Sequence, residues 1–168
     1  MKEESSDTDN LAHMKMLKVP PLIFLLIYSS TGWPTHTICK DNHLEISYRS
    51  CDPLQDLAFT LGSCSGLTTK SVNIRAATVL RYNIRELFVT TNIILNGKSI
   101  PFFSKQLCEG DHPNFSFCGR KKGEHIIYEG PVSLDIHDIP QGDFDVTVEL
   151  FNEDWRTIIC SNFTILSH

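Results

Sequence analysis

Apolar and polar residues alternate with a period of two through most of the chain beyond residue 32. Leu57, Phe59 and Leu61 fall on one side, and Val72, Ile74, Ala76 and Thr78 repeat the pattern. Phe144, Val146, Val148 and Leu150 carry it again, with Asp145, Thr147 and Glu149 between them. Successive side chains of a strand point to opposite faces, so this spacing predicts half-buried strands. Leu87–Leu95 is apolar on both faces, which places it in the interior of a sheet. Asn96-Gly97 separates two apolar runs and predicts a tight hairpin, because Asn and Gly accept the positive φ of such a turn. Gly119–Gly123 and Pro140–Asp143 read as further turns. No segment beyond residue 32 keeps an apolar stripe of helical period for three turns. Eight or nine short strands between turns predict an all-β fold, an immunoglobulin-like, two-sheet antiparallel β-sandwich.

The start of the chain follows another pattern. Lys15 and Lys18 precede the apolar run Val19–Tyr28, and the small residues Ser29, Ser30, Thr31 and Gly32 follow it. A basic segment, a short apolar segment and a small-residue exit predict a secretory signal cleaved after Gly32. Ten apolar residues that include Pro20 and Pro21 are too few to span a bilayer, so no transmembrane anchor is expected. Residues 1–32 are therefore read as an N-terminal extension and signal peptide, and residues 33–168 as one secreted, extracellular domain.

That compartment gives the cysteines their meaning. All six (Cys39, Cys51, Cys64, Cys108, Cys118 and Cys160) lie beyond the signal, and an even number in an oxidising environment predicts three disulfides. Pairing is open at this point, with 15 possible connectivities for six cysteines. No Cys-x-x-Cys pair is present, so a zinc site or a thioredoxin-like centre lacks its spacing. Asn114-Phe115-Ser116 and Asn162-Phe163-Thr164 are sequons, which makes Asn114 and Asn162 candidate glycosylation sites.

A formal net charge of −5 argues against nucleic acid as a partner. Charge is unevenly spread, with nine Lys/Arg against three acids from Lys70 to Lys122 and seven acids without Lys/Arg from Pro131 to Asp154. Such polarity steers protein partners, and Arg120, Lys121, Lys122, Asp135 and Asp138 are candidate contacts. Arg120–Lys122 could equally keep a turn soluble, or meet a lipid phosphate.

A catalytic reading fails on context. Gly62-Ser63-Cys64-Ser65-Gly66 imitates a nucleophile elbow, but that device needs a strand-turn-helix crossover, and no helical segment follows. The seven histidines show no metal-ligand spacing. The chain is read as a non-enzyme with no metal and no cofactor.

Longer strings carry a resemblance. The frame Cys39…Ile46-Ser47-Tyr48…Cys51-Asp52, then Phe115-Ser116-Phe117-Cys118, then Lys122-Gly123-Glu124 resembles the lipid-recognition (ML) domain family from residue 33 to the C-terminus. The resemblance implies two sheets splayed around a large apolar cavity and the pairing Cys39–Cys64, Cys51–Cys160 and Cys108–Cys118. Strand parity together with the resemblance lines the cavity with Ile46, Phe59, Leu61, Ile74, Ala76, Val89, Ile93, Phe117, Ile126, Val132, Leu134, Phe144, Val148 and Ile165. Phe103 and Ile139 would lie near its mouth. Each alternating apolar residue is also ordinary sandwich core, and periodicity does not separate the two. Disulfides would support a sandwich with an open centre, which forgoes packing contacts.

Energetics favour lipid as the ligand of such a cavity. Each buried methylene contributes about 0.8 kcal/mol, against about 0–1 kcal/mol for an exposed headgroup ion pair. Asp135, Asp138 and Asp143 near the mouth would repel a doubly phosphorylated lipid, so phospholipid or another singly charged or neutral lipid is expected. The segments Trp33–His36 and Ser50–Asp56 resemble the branch of the family whose members accompany a leucine-rich-repeat, Toll-like receptor homologue and modulate endotoxin signalling. That implies a secreted accessory protein held at the cell surface by its receptor. The alternatives are a receptor-independent lipid or sterol carrier, and an adhesion module with a filled core.

Overall fold

The alternating segments become strands, and their pairing decides which side chains face each other. The computed structural model describes residues 32–64, 71–110, 114–133 and 142–167, within one unit spanning Gly32–His168. Nine strands occur among them: β1 (His36–Lys40), β2 (Leu44–Ser50), β3 (Ala58–Leu61), β4 (Ser71–Val79), β5 (Leu87–Leu95), β6 (Lys98–Cys108), β7 (His125–Ser133), β8 (Phe144–Asn152) and β9 (Thr157–Ser167). They form a six-stranded sheet in the order β1-β2-β9-β8-β5-β6 and a three-stranded sheet in the order β3-β4-β7. All pairings are antiparallel. The β-sandwich is therefore unequal, one wide sheet against one narrow sheet.

Local chemistry explains the joints. Asn96 (φ 50°) and Gly97 (φ 74°) make the hairpin between β5 and β6, with Leu95 paired to Lys98. Two successive positive φ values suit the right-handed twist of the flanking strands. β5, apolar on both faces, is paired on both sides, by β6 and β8. Gly119 (φ 79°) and Gly123 (φ 88°) bracket the basic turn. That turn is stitched to the segment after β4: Ile84 N–H donates to Arg120 O (2.9 Å), Gly123 N–H to Leu80 O (2.7 Å) and Lys122 N–H to Asn83 Oδ1 (2.9 Å).

One tightly packed cluster of the core gathers at one end. Leu80, Ile84, Leu87, Cys108 and Ile158 are each under 5% exposed and pack together, with Tyr82, Leu107, Phe117, Ile126 and Leu150 around them. A buried Leu or Ile contributes about 1.5–3 kcal/mol of transfer free energy, so this cluster holds the sheets together at that end.

All six cysteines are paired, as Cys39–Cys64, Cys51–Cys160 and Cys108–Cys118. Cys39 lies on β1 of the wide sheet and Cys64 follows β3 of the narrow one, so this bond ties sheet to sheet. Cys108 ends β6, and Cys118 stands in the turn leading to β7. Cys51–Cys160 differs, because it joins the end of β2 to its own neighbour β9 and reinforces a pairing within the wide sheet. Only Cys39–Cys64 links the two sheets, while Cys108–Cys118 ties the wide sheet to the turn before β7.

Candidate functional site

Residues directly paired across an antiparallel sheet share a face, so the register reads out each wall. On the wide sheet, one row runs Ile46–Ile165–Phe144, the next Tyr48–Phe163–Val146–Ile93–Ile100, and the next Ser50–Ser161–Val148–Thr91–Phe103. Val89 pairs with Leu150 one row further on. On the narrow sheet the rows are Phe59–Ala76–Tyr128, Leu61–Ile74–Gly130, Val72–Val132 and Thr78–Ile126. Contacts across the gap identify these as the inner faces. Phe59 meets Tyr48 edge-on (5.7 Å between centroids) and Phe163 likewise (5.2 Å).

Tyr48 is the pin between the sheets. Its hydroxyl donates to Leu57 O (2.7 Å) and accepts from Phe59 N–H (3.1 Å), so one side chain of β2 holds the backbone at the start of β3. Burial pushes the hydroxyl above its ordinary value near 10, and the Asp56 charge adds to the rise against the Phe59 bond. His36 stacks on Tyr48 (5.0 Å) and pairs with Asp56 (3.2 Å).

A second link is polar. Asp52, 5% exposed, is bonded by Arg81, whose Nε also donates to Gln55 Oε1 (3.0 Å), while Gln55 itself bonds Thr78 of β4. Trp33 Nε1 donates to Asp52 O (2.6 Å) and Leu54 N–H to Asp52 Oδ1 (2.9 Å). The loop after β2 is thus clamped to the end of β4. Sequence reasoning missed this clamp. The signal available was the pair of opposite charges Asp52 and Arg81, each beside an apolar strand end.

The expected wall residues therefore come together in two groups. Ile46, Val89, Ile93, Phe144, Val148 and Ile165 lie on the inner face of the wide sheet, and Phe59, Leu61, Ile74, Ala76, Ile126 and Val132 on that of the narrow sheet. Depth separates them further. Ile126 and Phe117 pack against the closed cluster, Phe117 from the loop before β7 and stacked on Phe115 (5.0 Å). Leu61, Ile74, Val132, Phe144 and Ile165, toward the other end, are only half-buried, although Ile46 and Val72 among them are buried. Phe103 is 41% exposed on the edge strand. The site is a pair of opposed apolar walls, closed at one end and accessible at the other.

The whole described chain is similar to proteins of this architecture. It is 48% identical to chicken lymphocyte antigen 86 over 157 residues, covering 92% of this chain and 98% of that protein. The human protein of that name is 46% identical over 135 residues, covering 80% of this chain and 83% of its own length. The chain belongs to the lymphocyte antigen 86 family. No family model matches it. Among solved structures it is similar to chicken MD-1, crystallised as a complex with lipid IVa, at 49% identity and a TM-score of 0.76, covering 81% of this chain and 99% of that one. A Niemann-Pick type C2 protein from the Japanese carpenter ant shares the fold at 17% identity and a TM-score of 0.53, covering 70% of this chain and 96% of that one. Human lymphocyte antigen 96 is a more distant relative, 23% identical over 153 residues. The fold is that of the lipid-recognition domain.

The remaining expected residues of this member of the family lie elsewhere. Arg120, Lys121 and Lys122 are exposed in the stitched turn, where Glu124 accepts from Lys121 N–H. Asn114 is exposed, while Asn162 lies on the outer face of β9 and its Oδ1 accepts from Thr147 Oγ1 (2.9 Å). Leu134, Asp135, Asp138 and Ile139 lie outside the described residues. Cys64, at the centre of the elbow-like string, has its sulfur in the bond to Cys39. No group of acids, His or Cys suited to a metal occurs among the described residues.

Proposed function

We propose that this protein is a secreted lipid-binding accessory subunit that associates with a leucine-rich-repeat, Toll-like receptor homologue and modulates innate immune signalling. The observation that carries the reading is the pair of facing apolar walls, tightly packed at the Leu87 end and half-buried at the Ile74 and Phe144 end. Apolar side chains arranged toward one another yet left accessible are suited to burying an acyl chain, at about 0.8 kcal/mol per methylene. Family membership and the lipid IVa held by chicken MD-1 support the same class of ligand.

The residues that would meet the acyl chains are Ile46, Phe59, Leu61, Ile74, Ala76, Val89, Ile93, Val132, Phe144, Val148 and Ile165, with Phe117, Ile126 and Leu134 at depth and Phe103 and Ile139 at the mouth. The reading assigns no catalysis. Asp135, Asp138 and Asp143 bias the cargo toward phospholipid or another singly charged or neutral lipid. Cleavage after Gly32 and export follow from the N-terminal pattern, and among the described residues no helix is long and apolar enough to cross a membrane. Receptor contact would hold the protein at the cell surface, with Arg120–Lys122 and the acids Asp135 and Asp138 as its charged contacts.

Native mass spectrometry of protein secreted from cultured cells, alone and with a leucine-rich-repeat ectodomain, tests both parts. The expected result is one retained phospholipid, displaced only in part by added lipid IVa, and a receptor complex on a sizing column. Lipid-free protein would overturn the ligand assignment. Retained lipid without a receptor complex would make the protein a free carrier.

A further inference from the structure

β6 closes the six-stranded sheet on one side and is paired only with β5. Its residues Lys98–Gln106 are all exposed. Pairing with Leu95, Ile93, Thr91 and Val89 sets Lys98, Ile100, Phe103 and Lys105 on a single face, the one that continues the inner wall. A register shift between Thr91 and Asn92 leaves Phe102 as an extra residue between Pro101 and Phe103. Ile100, Phe102 and Phe103 are 49%, 38% and 41% exposed. No acid occurs between Leu87 and Cys108, and neither lysine forms an ion pair among the described residues. The strip is apolar and aromatic in the middle and cationic at both ends.

An unpaired edge of this length would ordinarily invite another strand. Here Pro101 offers no N–H, the bulge at Phe102 breaks the ladder, and lysines stand near both ends, which are the devices that blunt an edge against strand addition. What they leave is side-chain chemistry. Aromatic rings sit at the boundary between headgroup and acyl chain, and lysine stems lie along apolar surface while the ammonium reaches outward to phosphate. We propose that this strip docks the protein onto anionic membrane surfaces, with the β6 edge of its walls against the bilayer.

The passage of a lipid from that surface to the walls rests on the lipid-binding reading, but the docking itself does not. The probe is a vesicle of phosphatidylcholine with or without phosphatidylserine, in flotation assays with the secreted protein. Binding is expected on the anionic vesicles and weak on the neutral ones, and it should fall as salt screens the lysines. Each lysine contributes about a fivefold gain in partition near an anionic leaflet, so Lys98→Glu with Lys105→Glu should weaken binding on the order of 25-fold or more. Phe102→Ser should weaken it while leaving the circular dichroism spectrum and the retained lipid unchanged. Equal partition of the wild type and both variants would overturn the proposal. So would a wild-type dimer that Phe102→Ser converts to monomer while neither form floats, because the strip would then belong to a second copy. Vesicle binding by protein whose mass spectrum shows no lipid supports docking and removes only the cargo.

Discussion

The two ends of this sandwich are built from the same alternation and behave differently. At the Leu87 end, residues from five separate segments interlock, and Cys108 and Ile84 are at most 1% exposed. At the Phe144 end, the same parity leaves Phe144, Ile165, Leu61, Ile74 and Val132 only half-buried, although Ile46 and Val72 beside them are buried. The Asp52–Arg81–Gln55–Thr78 clamp and the stitched basic turn both serve the packed end. Packing is dense in one half of the molecule and looser in the other, so apolar surface stays accessible at one end without loosening the packed one.

Substitutions can break that comparison. Leu87→Ala removes a side chain from the packed cluster and should cost about 4 kcal/mol in urea denaturation, as large-to-small changes in tight cores do. Ile165→Ala, on the same sheet at the other end, should cost about 1 kcal/mol while lowering the lipid retained on purification. Equal costs at the two positions would remove the distinction. Between the ends stands Tyr48→Phe, which leaves Leu57 O and Phe59 N–H without their partner and should cost about 2 kcal/mol.

The smallest effect sharpens the packed end alone. Glu153 accepts from the N–H groups of Arg85 (3.2 Å) and Glu86 (3.1 Å). Burial opposes its ionised form, but these backbone bonds, with its own N–H and the Arg85 charge, together hold its carboxyl below the ordinary value of 4.5. A depressed carboxyl stabilises the fold fully above pH 4.5 and loses that contribution as pH falls through its folded value. Glu153→Gln should therefore flatten the acid limb of a stability–pH curve, by about 0.5 kcal/mol for a largely solvated group.

Much of this was legible in the sequence, for a definite reason. Parity tells which side of a strand a residue occupies, and together with the family resemblance it sets Ile46, Phe59, Ile74, Phe144 and Ile165 on facing walls before any pairing is known. The Asn96-Gly97 turn could be read because few residues adopt its backbone. Parity carries no information on distance along the strand or on what stands opposite. Ile126 and Ile74 share a wall by period, yet one joins the packed cluster and the other remains accessible. Phe117 is on no strand at all and reaches the core from a turn. The pairing Cys51–Cys160 is implied by the resemblance alone, and only strand order makes it a bond between neighbours in one sheet.

The strand order also sets a timetable. β9 is the last strand described, and it lies between β2 and β8. During synthesis β2 and β8 emerge before the strand that joins them, so the wide sheet cannot zip across its middle until residues 157–167 arrive. Contacts of such sequence separation fold slowly, because a long loop must close before any pairing rewards it. The Cys51–Cys160 bond, 109 residues apart, waits on the same event. Until then the apolar faces of both halves stand uncovered, and that interval is the longest in which misassembly can compete with folding of this chain.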